Sequence, residues 1–349
     1  MRRYIICMVA LVLMGTMAAD AQKSRKRTVK KPVKVVEDPR ITQMLAATQQ
    51  VMFIDSMVVD KSDFVRHIPL SAECGTIEMH DSLGLFTNEL GDHRLAAVIE
   101  PGDSVSHITV SDYIGHYWTE PVRAQGITDH DTNFPFVMPD GITLYLAQKG
   151  ENSIGGYDLF VTRYDGADGA YLRAENLGMP FASEANDYLY AIDEKYQLGY
   201  FVTDRRQPEG KVCIYVFQPS ATRKVYLSEA YDDDKLRSMA RIDRISDTWS
   251  NIDERNKAIK RFEAAKTEAA MRQNIRQNRR MEMSELDNLR HQADVLEKAL
   301  LLARNYYAKA SAADRQTLRS EIIKSESELE ALQIEIRQKE HQRATQQNK

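Results

Sequence analysis

Residues 232–349 contain neither glycine nor proline, whereas all 16 glycines and all 10 prolines lie before them. Those two residues weaken a helix interior by about 1 and 3 kcal/mol relative to alanine. A long run free of both, dominated by Glu, Gln, Arg, Lys, Ala and Leu, specifies α-helix. Residues 41–230 have the opposite character, with short β-rich runs separated by turn residues. The chain therefore divides into a β-rich domain, expected at 46–230, and an α-helical coiled-coil region, expected at 231–349.

The β-rich runs include Val51–Ile54, Leu95–Ile99, His107–Val110, Thr143–Ala147, Asp158–Thr162, Leu189–Ile192, Leu198–Thr203 and Val212–Phe217. Turn signals between them include Pro139-Asp140-Gly141, Gly155-Gly156 and Pro208-Glu209-Gly210. Many short strands with frequent turns indicate a sandwich, a barrel or a propeller. Asp140-Gly141 gives a turn that tolerates a left-handed residue, and Asp140 can bond the turn amides. Gly155-Gly156 permits a tight loop before the next strand. Asp158 is expected to bond neighbouring backbone amides.

Two segments repeat this grammar. One runs from Phe134 through Asp140-Gly141 to Tyr145, then from Ile154 through Gly155-Gly156 and Asp158 to Thr162. The other runs through Asn186–Asp193, Leu198–Arg205 and Lys211–Phe217. The first segment resembles the PD40, or WD40-like β-propeller, repeat of TolB-type periplasmic propellers and of many exported Bacteroidota proteins. Tyr117-Trp118-Thr119-Glu120-Pro121 resembles the stretch that precedes such blades, and Phe201–Arg205, with Asp204, resembles a blade-strand end. The resemblance covers about residues 117–217. It implies a mainly β propeller-like domain, and at ~40–45 residues per blade residues 50–225 allow about four to five blades.

The tail carries two heptad registers. Leu286, Ala293, Leu300 and Tyr307 take position a, and Leu289, Leu296 and Ala303 take d. After a break at 309–314, where Ser311 or Asp314 can cap a new helix, Ile322, Leu329 and Ile336 take a, and Leu318, Ser325 and Leu332 take d. Such narrow seams suit either a hairpin within one chain or pairing between chains, and the break favours the hairpin. Ile242, Ile245, Trp249, Ile252, Ile259 and Phe262 form an earlier apolar stretch suited to docking on the β domain.

Residues 1–21 read as a signal peptide. Arg2 and Arg3 precede an apolar run, and Ala19-Asp20-Ala21 places the cut before Gln22. Residues 22–45 read as a basic linker. No later segment is long and apolar enough to span a membrane. The expected address is the periplasm or the outer-membrane periphery, which includes peripheral association with that membrane. Export also permits a disulfide between Cys74 and Cys213, the alternative being two buried thiols.

With 47 basic and 51 acidic residues and a net charge of −4, the chain is not built as a nucleic-acid binder. Gly-x-Ser-x-Gly, Walker A, Gly-x-Gly-x-x-Gly and His-Glu-x-x-His are all absent, so no catalytic residue, cofactor or metal is assigned. Asp129-His130-Asp131 reads as a polar loop, and Asp232–Asp234 as a helix start. The expected function is a non-enzymatic envelope scaffold that binds a protein partner or self-associates through its tail. The alternative is a carbohydrate-binding or glycoside-cleaving propeller. It would need Tyr157, Tyr188 and Trp118 as platforms and carboxylates among Asp140, Asp158, Asp193 and Asp204 converging on one opening.

Overall fold

The structure, a computed structural model, describes residues 39–220, 222–227 and 230–347; the expected signal peptide and residues 22–38 lie outside it. Helix α1 (Pro39–Ala46) spans the last residues of the stretch expected to be linker. Proline suits a first helical position, and Ile41 and Leu45, four apart, share a face buried against Met179 and Ala240.

Among the described residues, the β-rich domain forms three antiparallel sheets. The first contains β2 (Thr76–His80), β3 (Leu83–Thr87), β4 (His93–Val98) and β5 (His107–Ile114), with short β6 (Tyr117–Trp118) and β7 (Val122–Arg123) on β5. The second contains β8 (Asp131–Val137), β9 (Thr143–Lys149) and β10 (Asp158–Asp165), with short β11 (Ala170–Tyr171) and β12 (Glu175–Asn176) on β10. The third places β1 (Met52–Asp60) beside β15 (Lys211–Gln218), followed by β14 (Leu198–Thr203) and β13 (Asp187–Asp193). Phe53 faces Phe217 and Asp60 faces Lys211, so a strand from the start of the domain completes its last sheet.

Three sheets are fewer than the four to five blades expected from length. Residues 64–67 and 72–74 form 3₁₀ turns, and β1 joins the last sheet instead of starting one. Each expected β-rich run overlaps a strand, and the β2–β3 hairpin lies outside all of those runs. Its tight turn holds Asp81 at φ 49° and Ser82 at φ 68°. One apolar core joins the sheets. Phe86 meets Phe136 edge-on at 5.7 Å between the first and second, and Tyr145 meets Tyr190 at 4.6 Å between the second and third.

The helical region begins with α2 (Asp233–Arg241), whose N-cap Asp232 accepts from the Lys235 amide. Helix α3 (Ile252–Lys309) runs unbroken for 58 residues, about 87 Å at 1.5 Å per residue. Asn251 caps it by accepting from the amides of Asp253 and Glu254. Helix α4 (Ala312–Gln347) returns antiparallel along its distal half. The hairpin is thus the arrangement adopted. Among the described residues no helix is long and apolar enough to cross a membrane.

The proximal half of α3 belongs to the β core. Ala258, Phe262 and Ala265 are buried, with Phe262 beside Tyr200. The irregular register of β1 near Phe53 explains the attachment. Thr248 Oγ1 accepts from the Phe53 amide at 3.1 Å, and Trp249 Nε1 donates to the Phe53 carbonyl at 2.8 Å. Arg261 donates to the Tyr196 carbonyl, and Arg272 to that of Leu70. Of the expected docking residues, Ile252 departs: as the first residue of α3 it is 54% exposed.

Candidate functional site

Beyond Arg272, α3 leaves the β domain and forms an arm with α4. The heptad residues are the ones that turn inward. Leu286 and Leu300 are buried, and Leu289, Ala293, Leu296, Ala303 and Tyr307 are half-buried. On α4, Leu318, Ile322, Ser325, Leu329, Leu332 and Ile336 are half-buried. Ser311 Oγ lies 3.4 Å from the Asp314 amide and donates to the Asp314 carboxylate at 2.7 Å, closing the turn. Val295, Leu301, Leu302 and Tyr306 remain exposed on the arm. The heptad reading missed this second apolar set, although its spacing of four, then three, is visible in Val295, Ala299, Leu302 and Tyr306.

Among the cavities of the β domain, two lie where its sheets meet. One of about 630 Å³ lies between the first two sheets and is walled by Phe86, Val110, Val137 and Tyr171. His93 Nδ1 lies 2.7 Å from Asp112 at its edge. A cleft of about 330 Å³ holds Lys61, Phe134, Tyr157 and Tyr188. Lys61 donates to the Tyr188 hydroxyl at 2.5 Å, and that hydroxyl donates to Asp204 at 2.6 Å. Burial, reinforced by the bond to Asp204, holds the Tyr188 phenol well above its ordinary pKa, so it is no ready nucleophile.

The repeat-motif residues fall in two places. Asp140 and Gly141 form the β8–β9 turn, with Gly141 at φ 68°. Asp140 accepts from the amides of Ile142 and Thr143 at 2.8 Å each, and these bonds hold its carboxyl below the usual range despite partial burial. At the other end, Gly155 and Gly156 lie so close to the 184–186 loop that a Cβ on Gly156 would fall 1.9 Å from Asn186 Oδ1. Asp158 there accepts from the Ile154 amide at 2.9 Å and from Asn176 Nδ2 at 2.8 Å. Asp204 accepts from the Asn186 amide at 2.8 Å.

Asp158 also borders a charged group that the motif reading did not include. Asp187 is fully buried and bonds Arg205 at 2.8 Å. Burial, with the Asp187 charge beside it, lifts the Asp158 carboxyl to about 7. The signal available was Thr203-Asp204-Arg205, which reads as a strand end. Asp193 accepts from the Ser71 amide and hydroxyl. None of Asp140, Asp158, Asp193 and Asp204 lines either cavity described above. Trp118 is apart from Tyr157 and Tyr188, beside Tyr113 and under Arg94.

Cys74 and Cys213 are free, buried thiols and not a bridge. Burial pushes the Cys74 thiol up to about 12 and raises that of Cys213. Asp129 sits beside Arg123 at 3.5 Å, and among the described residues no three His, Cys, Asp or Glu side chains are placed to hold a metal. Comparison with family models, curated proteins and solved structures finds no match to this chain.

Proposed function

We propose that this chain is a non-enzymatic scaffold of the cell envelope, in which an exported, PD40-type propeller-like domain carries a helical arm that docks a protein partner. The carrying observation is the continuity of α3. One helix is fastened into the β core by Phe262 and then extends into a hairpin with exposed apolar side chains. A binding surface on such a helix has a fixed orientation relative to the β domain. The three antiparallel sheets, and the completion of the last by β1, support reading the domain as propeller-like.

A photo-reactive residue at position 302 of the protein in intact cells tests the docking role. Adducts from position 302 but not from position 209, in the turn before β15, are expected; equal yield from both would sink the reading. N-terminal sequencing of the exported protein should begin at Gln22. The carbohydrate alternative has one favouring observation, the placement of Tyr157 and Tyr188 in a single cleft. It requires glycan binding that is lost in Tyr157→Ala.

A further inference from the structure

The two long sides of the hairpin differ. In an antiparallel pair of helices, e positions face e positions and g positions face g positions across the seam. The e side is closed by charge pairs. Arg290 bonds Glu340 at 2.7 Å, and Arg304 bonds Glu326 at 2.6 Å. The g side has one such pair, Lys339 with Glu285 at 3.0 Å near the open end of the hairpin, and among the described residues none beside residues 295–306. There α3 presents Ala299 and Tyr306 at g, flanked by Val295 and Leu302 at c. Val295 is 53%, Leu302 70% and Tyr306 63% exposed. They recur every three or four residues and form one straight stripe over about 17 Å.

Opposite this stripe, α4 presents Glu321, Glu328 and Glu335 at g, all exposed. Glu321 and Glu335 have no ion-pair partner among the described residues. Glu328 has only Lys324 of its own helix, at 3.8 Å. Ala331, at c between them, leaves room for close approach. The open side is therefore an apolar stripe with an acidic edge.

We infer that this side binds one amphipathic helix of a partner protein, apolar along one stripe and carrying lysine or arginine along the edge that meets α4, which completes a three-helix bundle. The inference rests on the scaffold reading and names the chemistry of its partner. A second copy of the chain is the poorer occupant. On the far edge of the stripe, position f offers His291, Lys298 and Asn305, and Lys298 is already bonded to Asp294 at 2.7 Å. Two stripes packed together would leave the glutamates facing one engaged lysine.

The test uses residues 22–349 and a labelled 28-residue helical peptide with leucines at its seam positions and lysines along one edge, beside a twin with glutamates there. Fluorescence anisotropy should show the lysine peptide bound about tenfold more tightly than its twin, as three exposed charge pairs allow. Glu321→Lys, Glu328→Lys and Glu335→Lys together should reverse the preference. Leu302→Glu, at an exposed position, should abolish binding of both peptides without loss of helicity. Equal binding of the two peptides, no binding of either, or a preference that survives the triple reversal would overturn the inference. So would a dimer, seen by sedimentation, that Leu302→Glu splits. In each of those outcomes a crosslink from position 302 in cells still separates the scaffold reading from this one.

Discussion

The two halves of α3 are one helix in two solvents. Between Ile252 and Arg272 its inward residues, Ala258, Phe262 and Ala265, are as buried as any in the sheets. Beyond residue 285 the same helix buries only Leu286 and Leu300, and presents Leu302 and Tyr306 to water. Helical propensity is similar along its length, so the contrast comes from what each face touches. The proximal half is held by tertiary packing, while the distal half has a seam one side chain wide. A long helix is thereby divided into an anchor and an arm with no break in its backbone.

Phe262→Ala should break the comparison most severely. It empties the space beside Tyr200 and should destabilise the β domain by about 3–5 kcal/mol. Leu302→Ala, on the arm, should shift the same urea transition by less than about 0.5 kcal/mol. Similar losses from both would show that anchor and arm are not distinct.

The second effect belongs to the β domain and should be absent from the arm. Asp158 has a folded pKa of about 7, raised above that of an unfolded aspartate near 3.9. Between those values the folded state holds a proton that the unfolded state has released. Stability should therefore fall as pH rises from about 4 to 7, by on the order of 3 kcal/mol, and then level off. Asp158→Asn should flatten that slope and gain stability at pH 8. An unchanged slope in urea midpoints would remove Asp158 as its source.

How much of this was legible depended on distance along the chain. The seam residues of the hairpin were readable because a helix brings positions three and four apart to one face, and Leu286, Leu300 and Ile336 obey that local rule. Strand runs such as Val212–Phe217 were readable for similar reasons. What needed long-range geometry was not. The β2–β3 hairpin includes Gly84, where a Cβ would meet the Phe134 backbone at 2.7 Å, a contact no local pattern announces. Phe262 reads as a residue that docks on the β domain, and it does, but no local pattern names Tyr200 as its neighbour. Asp158 reads as a residue that bonds neighbouring amides, and it does, but its burial and the charge of Asp187, from the start of another strand, raise its carboxyl. Residue type alone groups Trp118 with Tyr157 and Tyr188, and the fold separates them.

Within the arm, Leu300→Ala should cost about 2–3 kcal/mol of local stability, toward the low end for a buried leucine because the seam is shallow. Amide exchange should quicken across residues 286–340 and stay unchanged in β14 and β15. Faster exchange in those strands would mean that arm and anchor open as one unit.

The smallest effect concerns thiol chemistry. Cys74 and Cys213 are buried, and burial raises both thiols, Cys74 to about 12, so little thiolate exists at pH 8. Neither should react with a disulfide reagent until the β domain unfolds. A cysteine placed by Leu302→Cys has neither restraint, since its site is exposed and its pKa should stay near the ordinary 8.5. Its reaction should finish within minutes in the folded protein, while the two natural thiols appear only in urea, at the midpoint of the β transition. If Cys74 or Cys213 reacted at the rate of the introduced thiol, the β domain would be opening as readily as the arm meets solvent, and the division of α3 into anchor and arm would have no thermodynamic content.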